Sequence, residues 1–386
     1  MGILRKTVII SAFFISTVIL LRTFFLGTYP DFTVYFAGSE AFLQGKNPYN
    51  TSPGAFANYV YPPFVLLIFL PFIFVPVPFA AQVFLSISIM SLPFGIYFCL
   101  KALGKLSVYS YAFTLLLSAL AFPTKFTLGM GQVNLVIFFL ISVVFYLLHK
   151  NKRYTVGFFL GLAYAIKLFP IALLYYFLLQ KKWITVILSI GVFIIFYVVS
   201  VLFSGVDIQK TYFENVLPGI STSYQKDYYN QALSGFFARL PIEKTTGMFL
   251  KNITSILFIV LSLILLFWSR KKKNLENISF SFIITLSLIV NPFSWQHHFV
   301  WLILPFIVTF YKFVPTSLSL RGPLTTKVRG TRQSHINNYI LLSSSYLLVA
   351  INFPNPQSLP VLFQSHVLFG TILLWFLQAK LLLGNK

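Results

Sequence analysis

The sequence predicts an all-α polytopic membrane protein with roughly 10 to 13 membrane-embedded helices, each near 20 residues or shorter. Its 386 residues are 58% hydrophobic and only 9% charged, with a mean hydropathy of +0.83, which excludes an ordinary soluble domain. Apolar runs recur along the chain, and most basic clusters fall in the short segments between them. We therefore expect a single integral-membrane domain over residues 1–386, with a site formed by loops on the outer face.

The formal charge of +22 comes from 29 Lys and Arg against 7 Asp and Glu. In a soluble protein this excess would suggest a nucleic-acid partner. Here it predicts cytoplasmic loops, with membrane lipids and phosphate-bearing lipids as partners and no nucleic acid. The single cysteine, Cys99, lies in an apolar run and excludes a disulfide framework or a cysteine-ligated zinc site.

The first apolar run, Val8 to Leu26, is long enough to cross a bilayer and lacks a small-residue cleavage site, so it predicts an anchor. Arg5 and Lys6 precede it, which places the N-terminus in the cytoplasm. Residues 27–59 then form an outer loop that carries Asp31.

The later spans are predicted from apolar runs between polar breaks, and both chain ends are expected in the cytoplasm of a cell-membrane protein. The spans are Gln82 to Leu100, Val108 to Phe122, Leu135 to Leu148, Trp183 to Phe203, Phe249 to Trp268, Ile278 to Val290, Val300 to Val314, Tyr339 to Ile351 and Leu359 to Leu377. The polar segments between them include 123–134 and 204–246 on the outer side, and the basic segments 270–273 and 321–332 on the inner side.

Two segments are ambiguous. Tyr61 to Pro78 carries five prolines, so it is re-entrant or lies on the surface, or else the Lys101 loop faces out. Tyr154 to Gln180 is expected to be a hairpin of two short helices that turns near Lys167.

The unusual polar residues gather on the outer side of this topology. They are the candidate catalytic residue Asp31 and the candidate substrate-binding residues Tyr35, Tyr61, Gln132, Asn134, Lys167, Asn230, Gln231, His297 and His298. Asp31 is either a helix N-cap after Pro30 or a functional carboxylate at the membrane boundary. Lys167 either snorkels to the interface or holds an anion such as phosphate.

The other polar residues also have structural interpretations. Gln132 and Asn134 could cap the next helix. His297 and His298 could belong to an aromatic belt, or could bind a sugar, a phosphate or a metal.

The scarcity of acids limits the chemistry. The chain has no Asp-x-Asp pair for a metal-bound nucleotide sugar, although a divalent metal stays open. One acid, a membrane-embedded cation and polar outer loops suit a hydroxyl that attacks a sugar carbon with a lipid phosphate as leaving group. Asp31 would be the general base, and Lys167 or an arginine would offset the phosphate charge.

Short motifs in a fixed order connect these residues. They are Asp31 to Tyr35 with Gly45 to Tyr49, Tyr61 to Pro63, Gly131 to Asn134, Gly161 to Lys167 with Pro170, Asn230 to Leu233, and Asn291-Pro292 with Trp295 to His298. Over about residues 25–310 the chain resembles the GT-C superfamily, specifically bacterial glycosyltransferase family 87, which includes mycobacterial polyprenol-phosphate-mannose-dependent mannosyltransferases. Ala232 departs from a serine common in that family.

The resemblance implies an inverting hexosyltransferase, with mannose as the first candidate sugar, that uses a polyprenyl-phosphate sugar and glycosylates a glycolipid or glycan acceptor on the outer face. It implies that Asp31 is the catalytic base and that Lys167 and the His297 region contact the donor. No other cofactor is implied. The alternatives are a flippase or transporter of lipid-linked saccharides, which would need polar groups through the whole membrane depth, and a structural scaffold.

Overall fold

A computed structural model describes residues 2–50, 55–223, 225–313 and 326–384. Within these ranges the regular elements are all helical. Six helices are long and apolar enough to cross a membrane, or seven if one bent pair forms a single span, and five shorter apolar helices accompany them. The predicted all-α polytopic membrane fold is therefore confirmed.

The chain divides into two compact units, Met1–Gln225 and Lys226–Lys386. That residues 1–386 form one domain stays a prediction. The α-helices of unit 1 are α1 (Gly2–Arg22), α2 (Pro30–Leu43), α3 (Pro63–Phe69), α4 (Val77–Ala102), α5 (Val108–Leu120), α6 (Phe122–Met130), α7 (Asn134–His149), α8 (Arg153–Ile166), α9 (Leu173–Leu179), α10 (Trp183–Lys210) and α11 (Leu217–Ser223).

Unit 2 contains the remaining helices within the described ranges. They are α12 (Leu233–Arg239), α13 (Lys244–Ser269), α14 (Glu276–Val290), α15 (Ile303–Phe313), α16 (Thr326–Ala350), α17 (Val361–Gln364) and α18 (His366–Leu383). A 3₁₀ turn, Gln296–Leu302, leads into α15.

Prolines and small residues explain much of unit 1. Pro30 and Pro63 each occupy the first position of a helix, where the missing N–H costs nothing. In α8, Gly157 and Gly161 allow close packing against α10, since a Cβ at Gly161 would lie 2.6 Å from the carbonyl oxygen of Ser189. Small residues permit such approaches between apolar helices in membranes.

The two ambiguous segments are both interrupted helices. In Tyr61 to Pro78, α3 gives way to the 3₁₀ helix Leu70–Phe74 before α4 begins. Lys167 is extended, with φ −151° and ψ 125°, and ends α8 ahead of a second short helical segment. The predicted break near Lys167 is therefore confirmed.

Four segments that were predicted to lie between the spans, as an outer loop, two polar segments and a basic loop, contain helix, so the predicted boundaries differ from the structure. The outer loop 27–59 contains α2, and the break 123–134 contains α6, bent by 64° from α5. The polar segment 204–246 begins with helix because α10 continues past a kink at Gly205. The Nε2 of Gln209 donates to the hydroxyls of Ser200 and Ser204 at 2.8 and 3.1 Å, which satisfies a polar side chain there.

The fourth boundary concerns the basic segment 321–332. Helix α16 begins at Thr326, so seven of those residues are helical rather than loop. Residues 314–325, which hold the rest of that segment and the end of the predicted span Val300 to Val314, lie outside the described residues.

Candidate active site

The first turn of α2 fixes the position of Asp31. Tyr29 has a left-handed backbone, with φ 38° and ψ 64°, and Pro30 then starts the helix. Asp31 lies in the first turn, where the helix field favours a carboxylate, and it is 8% exposed. The N-cap position is held by Tyr29 and Asp31 is the second residue of the helix, so the N-cap interpretation does not describe Asp31.

Gly131 brings the end of α6 against this turn. Its φ of +68° lies in the left-handed region that favours glycine. A Cβ there would lie 2.8 Å from the Cβ of Phe32 and 3.1 Å from that of Tyr29. Both the backbone and the close contact therefore require glycine, and the contact brings the next residue, Gln132, to Asp31.

Gln132 connects the acid to two tyrosines. Its Nε2 donates to Oδ2 of Asp31 at 2.8 Å and to the hydroxyl of Tyr61 at 2.6 Å. Its Oε1 accepts from the hydroxyl of Tyr35 at 2.9 Å. The amide is 2% exposed, so these four predicted residues form one buried network, called here the acid cluster.

Aromatic packing holds the acid cluster in place. The ring of Tyr35 lies 4.4 Å from that of Tyr61 and stacks on Phe69 at the same centroid distance. Tyr59 packs against Gly38, where a Cβ would lie 2.5 Å from the tyrosine ring. The tyrosines therefore have little freedom to rotate away from Gln132.

Lys167 belongs to the same region through Asn134. Its Nζ donates to Oδ1 of Asn134 at 2.9 Å, and Asn134 is the first residue of α7. Gln132 and Asn134 are two residues apart, so one short turn contacts both the carboxylate and the ammonium group. Lys167 also interacts electrostatically with Asp31.

Burial shifts the pKa of Asp31 and that of Lys167 towards neutral pH. Both lie outside the candidate membrane spans. Burial raises the pKa of Asp31 to about 6, against the opposing effects of the Gln132 hydrogen bond and the positive charge of Lys167. Burial lowers the pKa of Lys167 to about 7, against the attraction of Asp31. A carboxylate whose pKa lies near the operating pH is well suited to general-base catalysis.

Unit 2 has its own polar region, built on an antiparallel bridge between Asn230 and Trp295. The backbone N–H of Gln231 donates to the carbonyl of Ser294 at 2.8 Å, and that of Gln296 to the carbonyl of Tyr229 at 2.9 Å. The four predicted site residues of this unit, Asn230, Gln231, His297 and His298, belong to the two segments that the bridge joins, and they are called here the bridge cluster. A Cβ on Gly235 would overlap the carbonyl of Asn230.

The side chains of the bridge cluster are largely used to hold the chain. The Nε2 of Gln231 donates to the carbonyls of Tyr228 and Gln364 at 2.6 and 2.7 Å. The Nδ1 of His298 accepts from the backbone N–H of Trp295 at 3.0 Å, which places the proton of a neutral ring on Nε2. The rings of His297 and His298 lie 4.6 Å apart.

Arg239 is a buried cation that the sequence pattern did not indicate. Its guanidinium donates to the carbonyls of Asp227 and Asn230 at 2.7 and 2.9 Å and to the hydroxyl of Ser365 at 2.9 Å. Burial lowers its pKa to about 10. The available signal was its place at the end of the short apolar helix that follows the Asn230-Gln231 motif.

The structure thus brings the predicted residues together in two groups, one in each unit. Asp31, Tyr35, Tyr61 and Gln132 form the acid cluster, and Asn134 with Lys167 adjoins it. Among the described residues no group of three His, Cys, Asp or Glu side chains is arranged to hold a metal ion.

Comparison with known proteins identifies a family over most of the chain. The model of glycosyltransferase family 87 matches residues 59–292. This range includes Tyr61, Gln132, Lys167 and the Asn230-Gln231 motif, whereas Asp31 lies before it.

Curated relatives agree with this match. The chain is 29% identical to a polyprenol-phosphate-mannose-dependent alpha-(1-2)-phosphatidylinositol pentamannoside mannosyltransferase of Mycolicibacterium smegmatis, over 78% of this chain and 72% of the relative. It is 24% identical to a polyprenol-phosphate-mannose-dependent alpha-(1-2)-phosphatidylinositol mannoside mannosyltransferase of the same species, over 72% of this chain and 69% of the relative. A phosphatidylinositol pentamannoside mannosyltransferase of Mycobacterium tuberculosis is 23% identical to the chain, over 71% of this chain and 64% of the relative.

Proposed function

The chain belongs to glycosyltransferase family 87, and from that premise we propose that it transfers a hexose, mannose first among them, from a polyprenyl-phosphate donor to a hydroxyl of a glycolipid or glycan. The observation that carries the proposal is the buried carboxylate of Asp31, hydrogen-bonded by Gln132 and close in charge to Lys167. The donor chemistry follows the printed names of the relatives, whose donor is polyprenol-phosphate mannose.

In the proposed reaction the acceptor oxygen attacks the anomeric carbon of the donor. Asp31 takes the hydroxyl proton as the new C–O bond forms, because a hydroxyl is a poor nucleophile until a base draws off its proton. The bond between the anomeric carbon and the phosphate oxygen breaks, and the electron pair leaves on the polyprenyl phosphate. Attack from the side opposite the leaving group inverts the anomeric configuration.

Lys167 stabilises the phosphate in this scheme. Its ammonium group is a compact point charge of the kind that binds phosphate oxygens, and it offsets the negative charge that develops as the phosphate departs. Asn134 holds the ammonium by its side-chain carbonyl, at 2.9 Å. Tyr61 remains a proposed contact for the sugar, the acceptor or the donor phosphate, as do Asn230 and His297. Gln231 and His298 bond to backbone groups, so for these two we propose a structural role instead.

Transfer from radiolabelled polyprenyl-phosphate mannose tests this function. Membranes that contain the wild-type protein should pass the label to an extractable glycolipid or glycan, and membranes with Asp31→Asn should not. Near-wild-type transfer by a correctly inserted Asp31→Asn protein would remove the base and favour a transporter of lipid-linked saccharides.

We also propose that the site faces outward and the basic segment 270–273 inward, from the distribution of basic residues. The one native cysteine is buried, so an impermeant thiol reagent has a low background. In intact cells the exposed position of Lys46→Cys should be labelled and that of Lys272→Cys should not. Labelling at position 272 would contradict this topology.

A further inference from the structure

Gln132 lies between the proposed base and the two tyrosines, and its bonds use both ends of its amide. We propose that Gln132 is a positioning residue: it holds Oδ2 of Asp31, which leaves Oδ1 for the proton of the acceptor hydroxyl. This inference rests on the proposed function. It assigns Gln132 a role different from the substrate contact that the sequence suggested.

The direction of the amide matters to this role. With Nε2 towards Asp31, both amide hydrogens have acceptors and Oε1 accepts from Tyr35. In the flipped orientation Oε1 would face the carboxylate oxygen at the same short distance, and two acceptors would repel each other. The ionised carboxylate of Asp31 can only accept, so it selects the productive orientation, and the hydroxyl of Tyr35 then donates to Oε1.

The two tyrosines therefore differ in role. Tyr35 is 0% exposed and donates to Gln132, so it acts on Asp31 through the amide and does not touch a substrate. Tyr61 accepts from Gln132, and the hydrogen of its own hydroxyl is directed elsewhere. Tyr61 remains a proposed substrate contact, whereas Tyr35 joins Gln132 as a positioning residue.

The same arrangement has an electrostatic consequence. Asp31 is influenced by Lys167, whose charge lowers its pKa, and lies near the neutral phenols of Tyr35 and Tyr61. The Gln132 hydrogen bond favours the ionised carboxylate and also lowers its pKa. Loss of this bond should raise the pKa of Asp31, which a merely structural role for Gln132 would not require.

The test measures the pH dependence of transfer from polyprenyl-phosphate mannose by the full-length protein in membranes. For Gln132→Leu we expect kcat to fall about 10- to 100-fold, because a hydrogen bond to a charged group is lost. We also expect the acid limb of the kcat profile to move to higher pH, with the KM for the donor changed by less than about twofold.

A second variant keeps the inference testable if Gln132→Leu is poorly inserted. Tyr35→Phe preserves the packed ring and removes the hydroxyl that donates to Oε1, so the acid limb should move in the same direction with a smaller loss of kcat. Gln82→Leu is the matched control, since Gln82 is an exposed glutamine on α4 in the same unit, and its profile should match the wild type.

The outcomes separate this inference from the function on which it rests. If Asp31→Asn is inactive and the acid limbs of Gln132→Leu and Tyr35→Phe coincide with that of the wild type, the positioning role is overturned and the base stands. If Asp31→Asn transfers at the wild-type rate, the proposed base is overturned as well.

Discussion

The acid cluster of unit 1 and the bridge cluster of unit 2 use their polar side chains in different ways. In the acid cluster, side chains bond to side chains, and Lys167 adjoins the cluster through Asn134. In unit 2, Gln231 and Arg239 donate mainly to backbone carbonyls, and the ring of His298 accepts from a backbone N–H.

The difference indicates which cluster is suited to acid–base chemistry and which one fixes the course of the backbone. A side chain that satisfies backbone groups fixes the course of the chain, since buried backbone N–H and C=O groups must find partners. A buried ionisable pair with a shifted pKa is instead a candidate for acid–base work. We therefore expect substitutions in the acid cluster to change turnover, and substitutions in the bridge cluster to change stability first.

The largest effect on turnover should come from substitution of Asp31. Asp31→Asn keeps the shape of the carboxyl group but cannot accept the proton, so we expect turnover to fall by about 10²- to 10⁴-fold. Asp227→Asn in unit 2 is the matched control. The Asp227 carboxylate accepts the backbone N–H of Tyr229 at 2.9 Å, which an amide oxygen can also do, and its charge acts on Arg239. Single-turnover and steady-state transfer rates measure both variants, and equal losses would erase the contrast between the units.

The second-largest effect should come from loss of the ammonium group of Lys167. Lys167→Met removes the ammonium and keeps an unbranched apolar chain, so the KM for the donor should rise by about 10- to 100-fold through loss of a charge-assisted contact to phosphate. The exposed Lys46 provides the control as Lys46→Met. Donor titrations at saturating acceptor decide the matter. If KM and kcat are both unchanged, Lys167 does not bind the donor phosphate and only extends to the membrane interface.

The pH dependence of transfer should follow the protonation of Asp31 and Lys167. Asp31 must be deprotonated to act as a base, so activity should fall as the pH drops through about 6, with about a tenth of the plateau left at pH 5. Lys167 must be protonated, so activity should also fall as the pH rises through about 7. The pair then titrates with two apparent pKa values in a bell-shaped profile.

Lys167→Arg tests the assignment of the alkaline limb. Arginine stays charged over the accessible range, so this variant should lose the alkaline limb and keep the acid limb. A profile with both limbs intact in Lys167→Arg would assign the alkaline limb to another group.

The smallest effect belongs to the bridge cluster. His298→Leu keeps much of the side-chain volume but removes the acceptor for the N–H of Trp295, so the free energy of unfolding should fall by about 1 kcal/mol. Transfer per folded molecule should change less than about threefold. His298→Asn, which supplies another acceptor, should recover part of the stability. Unchanged thermal unfolding together with a raised donor KM would make His298 a substrate contact, and the contrast would fail.

The sequence predicted local features well where one side chain or one short segment decides them. The predicted break near Lys167 is confirmed, because an extended residue with Pro170 shortly after it ends a helix locally. Helix boundaries in polar segments were missed. Residues 204–223 looked like a loop, yet Gln209 finds partners in Ser200 and Ser204, and such pairing follows from packing rather than from polarity.

The sequence alone determined that this chain is a multi-span helical membrane protein and that Asp31 and Lys167 are unusual in it, because apolar length and isolated charges are read directly along the chain. Only the tertiary structure decided which polar residues meet. Gln132 reaches Asp31 across 101 positions and Lys167 reaches Asn134 across 33. Those contacts depend on how α2, α6, α7 and α8 pack, with Gly131 permitting the close approach, and a one-dimensional pattern does not contain that packing.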